Sequence, residues 1–180
     1  MLRATRAFVF AAMIAAPAAA QQTPAAQPPA RPEDVATVDA IMKALYDVIS
    51  GPAGQKRDWD RFHSLFIPGA RLIPTAKRQD GTVVHRVQTP ADYQASSGAM
   101  LEQRGFFEIE THRVTETFGN VTHAFSTYES RAKAEDPKPF SRGINSIQLL
   151  NDGKRYWIAT IMWDAERPDL TIPAKYLPKN

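Results

Sequence analysis

The chain has 180 residues, 14 of them proline and none cysteine, with 43% hydrophobic and 23% charged residues. That length suits one domain with a tail, and those proportions exclude wholesale disorder. Without cysteine there is no disulfide framework, thiolate nucleophile or cysteine-ligated metal, and a formal charge of +3 with no basic stripe argues against a nucleic-acid partner.

Arg3 and Arg6 precede an apolar run from Ala7 to Ala16, and Pro17 and Ala18-Ala19-Ala20 follow before Gln21. A basic start, a short apolar stretch and small residues at the exit predict a cleaved export signal over 1–20. The apolar run is half the ~20 residues that a spanning helix needs, so no stable membrane anchor is expected. The mature chain is then periplasmic or secreted, cut near Ala20. Losing Arg3 and Arg6 lowers the formal charge to +1. Residues 21–31 (QQTPAAQPPAR) hold three prolines and no large apolar side chain, which reads as an extended linker before a domain over 32–166.

Val35, Val38, Met42, Leu45 and Ile49 recur at spacings of three and four and predict a helix from Pro32 to Ser50, stopped by Gly51-Pro52. A second helix fits Asp58 to Phe66, with Trp59, Phe62, His63 and Phe66 on one face. Strands over 70–78 and 82–87 flank Asp80-Gly81, a hairpin-turn signal. Thr89-Pro90 opens a third helix that Gly105 ends at Arg104. Beyond it the pattern turns to strands: 106–118 and 121–131 around Gly119-Asn120, then 141–150 and 155–164 around Asn151-Asp152-Gly153-Lys154. Pro168, Pro173 and Pro178 leave 167–180 as an extended tail, with Leu170, Ile172, Tyr176 and Leu177 packing back on the domain. The predicted class is α+β, with three N-terminal helices packed on a curved antiparallel sheet.

The segments DWDRFHSLFIPGARL, FGNVTHAFSTYESR and GINSIQLLNDGKRYWIATIMWDAE, in that helix-then-meander order, resemble the nuclear transport factor 2-like superfamily, SnoaL-like domains included. The ending IPAKYLP is similar to exported bacterial members of unassigned activity. The resemblance implies a cone-shaped fold with a pocket between sheet and helices. It also implies a function drawn from isomerases, dehydratases, cyclases, hydrolases or non-catalytic binding proteins, among which fold alone does not choose.

Polar residues aimed into such a pocket are the candidates for acid–base work. His63 shares its helix face with aromatic residues, as a general base or as a core histidine bonded to a backbone carbonyl. His85 alternates with Val83 and Val87. A two-residue turn at Gly119-Asn120 pairs Phe118 with Val121, Glu116 with His123, Val114 with Phe125 and His112 with Thr127. Val114, Phe118, Val121 and Phe125 then mark the buried face, which brings His112 inward beside Glu110. A single bulge would flip everything beyond it and turn Arg113 and Tyr128 inward instead.

Catalysis is accordingly assigned to His63 and His112, and ligand binding to Tyr46, Trp59, His85, Arg113, Tyr128, Asn145 and Trp163. Tyr46 offers its hydroxyl to an oxyanion in the manner of the ketosteroid isomerase group. The four histidines lack ligand spacing, so no metal is expected, and no cofactor fingerprint occurs. The expected function is an exported small-molecule-binding protein for an apolar or aromatic ligand. The alternative is a cofactor-free lyase, isomerase or hydrolase with a pocket histidine as base. A homodimer is the expected assembly.

Overall fold

The computed structural model describes residues 27–179. The leader over 1–20 and the linker as far as 26 lie outside the described residues. The helical half comprises α1 (Pro32–Val35), α2 (Val38–Ile49), α3 (Trp59–Ser64) and, after the first two strands, α4 (Pro90–Arg104). The strands are β1 (Phe66–Lys77), β2 (Val83–His85), β3 (Phe107–Phe118), β4 (Val121–Arg131), β5 (Ser141–Asn151) and β6 (Tyr156–Ala165). No helix among the described residues is long and apolar enough to cross a membrane.

The helix expected over 32–50 is two helices. The Thr37 hydroxyl accepts the Ala40 amide at 3.0 Å and starts α2 afresh, as an N-cap does when it satisfies one of the four orphan donors of a first turn. Asp58 caps α3 in the same way, accepting the Arg61 amide at 2.9 Å. Thr89 and Asp92 form a reciprocal capping box on α4. Among the described residues four α-helices therefore stand ahead of β3, where three helices were expected.

The sheet runs β2-β1-β6-β5-β4-β3. It is mixed, not purely antiparallel, because β1 lies parallel to β6. The expected turn registers hold: Phe118 opposes Val121, Val114 opposes Phe125 and His112 opposes Thr127. One strand position is inserted at Thr111, since Glu110 opposes Tyr128 while His112 opposes Thr127. This bulge puts Glu108 and Glu110 on the same face as Arg113, Thr115 and Thr117.

That face, not the apolar one, carries the helices. Ala124, Ser126 and Tyr128 are buried beneath them, whereas Phe118 is 91% exposed and Val121 is 55% exposed. The expectation that Val114, Phe118, Val121 and Phe125 mark the buried face is corrected accordingly. Alternation tells which side chains share a face but not which face the next layer covers.

Ile41, Met42, Leu45 and Val48 of α2 join Phe62, Leu65, Ile147, Leu149 and Ile158 in the core. Two cations, Arg57 buried and Arg61 half-buried, pin the helices. Arg61 grips Asp34 with two bonds of 2.7 Å. Arg57 donates to the carbonyls of Ile49, Gly51, Gln55 and Leu101 at 2.6 to 2.9 Å. On the outer face the C-terminal tail folds back, and it holds a short 3-10 helix over Ala174–Tyr176 where extended chain was expected. Its Tyr176 ring lies 4.8 Å from that of Phe125, and its Tyr176 carbonyl accepts the Thr127 hydroxyl at 2.6 Å.

Candidate functional site

Successive rungs of the inner face build the floor of a cavity. Arg113, Ser126, Asn145 and Trp163 stand side by side across β3, β4, β5 and β6. The next rung places Tyr128 against Gly143. A Cβ at Gly143 would lie 2.7 Å from the Tyr128 hydroxyl and 2.3 Å from the Asp164 carbonyl, so only glycine lets the tyrosine lie across β5. Glu108 and Ser130 form the rung beyond.

Helices close the other side. Leu45, Tyr46 and Ile49 come from the apolar face of α2, Phe62 from α3 and Tyr93 from α4, one turn after its Thr89 cap. Phe106 and Phe140 stand at the mouth with ring centroids 6.2 Å apart. The volume of this partly open cavity is about 220 Å³. A cavity of about 150 Å³ holds benzene, so this one takes a single ring with substituents or a small bicyclic molecule.

The cavity has one ionisable acid and no cationic side chain among its lining residues. Burial pushes the Glu108 carboxyl up to about 7, with the Ser130 hydroxyl and the Asn145 amide opposing the shift. Ser130 Oγ donates to Glu108 Oε2 at 2.8 Å. A carboxyl near pH 7 is equally able to take and to return a proton. Burial also pushes the phenols of Tyr46, Tyr93 and Tyr128 upward, and the charge of Glu108 adds to each. All three therefore remain neutral hydroxyls. Tyr93 makes no hydrogen bond through its hydroxyl among the described residues, while its ring stacks on Phe62 at 5.6 Å. No cluster of three or more potential metal ligands occurs among the described residues.

No family model matches the chain, and no curated protein matches it. Solved structures do. A protein of unknown function with a cystatin-like fold, from Nostoc punctiforme, is similar at a TM-score of 0.52 and 10% identity, over 71% of this chain and 90% of that one. The fold is cystatin-like. A Kribbella flavida protein is similar at a TM-score of 0.53 and 10% identity, over 73% of this chain and 90% of that one. Nuclear transport factor 2-like proteins are among the similar structures. One of unknown function, from Silicibacter pomeroyi, has a TM-score of 0.48 and 12% identity, over 73% of this chain and 94% of that one.

Within this cystatin-like fold, Tyr46, Tyr128, Asn145 and Trp163 of the predicted residues come together in the cavity. The others do not reach it. His63 shares a 2.7 Å bond with Gln94 Oε1 of α4, so its partner is a side chain and not a backbone carbonyl. His112 lies on the outer face opposite Thr127, because the bulge falls on its N-terminal side. His85 is exposed on the edge strand β2, opposite Thr75. Trp59 packs edge-on against Phe62 at 5.4 Å and donates to Glu102 Oε1 at 3.0 Å. Arg113 is on the inner face, yet it is engaged by Asp39 and, at 3.7 Å, by Glu110.

Neither His63 nor His112, the residues expected to be catalytic, lines the cavity, and the carboxylate that does is Glu108. Glu108, Tyr93, Ser130 and Ser141 were not foreseen. The signal available for Glu108 was its spacing of two from Glu110, which places both on one side of the inserted residue.

Proposed function

We propose that the chain binds a small, uncharged, largely apolar carbonyl compound and catalyses proton transfer on it, as an isomerase with Glu108 as general base. The supporting observation is the carboxyl of Glu108, pushed up to about 7 in an apolar cavity whose walls carry no cation. Ionised Glu108 removes a proton from the carbon next to the carbonyl. The developing oxyanion accepts a hydrogen bond from the Tyr93 hydroxyl, and protonated Glu108 then returns its proton at the same or a neighbouring atom. The lack of a lining cation disfavours phosphate or carboxylate substrates. In this reading the chain is exported behind its leader over 1–20 and pairs with a second copy through the exposed strip of Val114, Phe118 and Val121.

The test is deuterium uptake by small ring ketones, cyclohexanone and 1-indanone, followed by NMR in heavy water. The wild type should speed uptake at the α-carbon, and Glu108→Gln should lose at least about 100-fold of that rate. Equal uptake with both proteins would overturn the catalytic reading. If the ketones still raised the melting temperature, a binding role alone would be left, which the aromatic walls of the cavity favour.

A further inference from the structure

The hydroxyl of Tyr46 is held in a chain of bonds whose direction can be worked out from its ends. Ser126 Oγ donates its one proton to Glu110 Oε1 at 2.5 Å. The bond of 2.7 Å between Ser126 Oγ and the Tyr46 hydroxyl must then be donated by Tyr46, because Ser126 has no second proton. Asn145 Nδ2 in turn donates to the Tyr46 oxygen at 3.1 Å. Tyr46 and Asn145 line the cavity, Ser126 is fully buried behind them, and Arg113 stands beside Glu110 at 3.7 Å. The phenolic proton of Tyr46 is thus directed away from the cavity, and one lone pair of its oxygen is unused.

We propose that Tyr46 faces the cavity as a hydrogen-bond acceptor, so that the bound molecule carries a hydroxyl or N–H donor directed at it. This rests on the cavity being the ligand site, and it narrows the ligand class to a carbonyl compound that also bears a donor. It reverses the role expected of Tyr46 as an oxyanion donor, which leaves that task to Tyr93. Ser126 and Glu110 act as positioning residues that fix the direction of the chain.

The polarity is read without any ligand by ultraviolet Raman spectroscopy. The difference between the wild type and Tyr46→Phe isolates the tyrosine Fermi doublet of Tyr46. Its intensity ratio should be that of a phenol that both donates and accepts. It should move to the ratio of an acceptor-only phenol in Ser126→Ala and stay unchanged in Ser126→Thr, which keeps the hydroxyl. Calorimetry with p-cresol and its methyl ether gives the functional readout. The wild type should prefer p-cresol by roughly fivefold, the worth of one hydrogen bond, and Tyr46→Phe should lose that preference while retaining the ether. A doublet insensitive to Ser126→Ala, or a p-cresol preference that survives Tyr46→Phe, would overturn the proposal. Failure of Glu108-dependent deuterium uptake with both results intact would overturn the catalytic reading and leave the polarity of Tyr46 standing.

Discussion

Glu108 keeps its proton into the neutral range because an ionised carboxylate in an apolar cavity, with no cation beside it, has lost more hydration than Ser130 and Asn145 restore. The consequence for stability has a definite sign. Between its ordinary value of 4.5 and about 7, the folded chain holds a proton that the unfolded chain has released. The contribution of Glu108 to stability is therefore full below this window, falls as pH rises through it, and is level above it. Urea denaturation of Glu108→Gln should match the wild type at pH 4 and exceed it by about 3 kcal/mol at pH 8. Equal stability of the two proteins at both pH values would show that the carboxyl titrates normally. Tyr46, Tyr128, Trp163 and Asn145 of the site were legible from the sequence because their types suggest a pocket wherever they fall, whereas Tyr93 was not. Glu108 was not named, although it shares a face with Glu110, which was expected inward, because the histidine of the same strand drew the assignment and the bulge at Thr111 turned that histidine outward.

At the scale of elements, the ends of α2 and α4 depend on Arg57. Its guanidinium serves carbonyls of Ile49, at the close of α2, and of Leu101, in the last turn of α4, together with Gly51 and Gln55 between. Helix C-termini leave carbonyls unsatisfied, and a planar fork with five donors reaches several at once where an ammonium reaches fewer. Arg57→Lys should lower stability by about 2–4 kcal/mol in urea denaturation, although the charge is kept. A loss below about 0.5 kcal/mol would mean that water replaces these bonds. Helix periods, caps and hairpin turns were readable because each is fixed by residues within a few positions. The Gly119-Asn120 turn even gave the correct partners as far as His112. The parallel pairing of β1 with β6 was not readable, because it joins segments with no shared local signal. The choice of covered face failed for a related reason. The inner face carries small polar residues, Thr122, Ser126 and Ser130, which give way to a cavity and a bonded network, while apolar side chains are left on the outside.

For the whole molecule, that outer face is a strip of exposed Val114, Phe118 and Val121 beside the region that the tail covers. Contiguous apolar surface of this kind favours association. Sedimentation of the mature chain should give a dimer, and Phe118→Lys combined with Val121→Lys should give a monomer with unchanged circular dichroism, since both side chains are solvent-facing. A wild type that sediments as a monomer at micromolar concentration would rule out pairing through this strip.

The β1–β6 pairing carries a kinetic consequence. Phe66 meets Ile158 and Pro74 meets Trp163, so the strand that follows the early helices finds its neighbour only near the end of the chain. Closing so long a loop is entropically costly and is repaid only when both strands are present. A chain made N-terminus first can cap its helices and zip the β3–β4 hairpin as each emerges. It cannot seal β1 into the sheet until the last strand has been synthesised, so the cavity comes into being in the final step of folding.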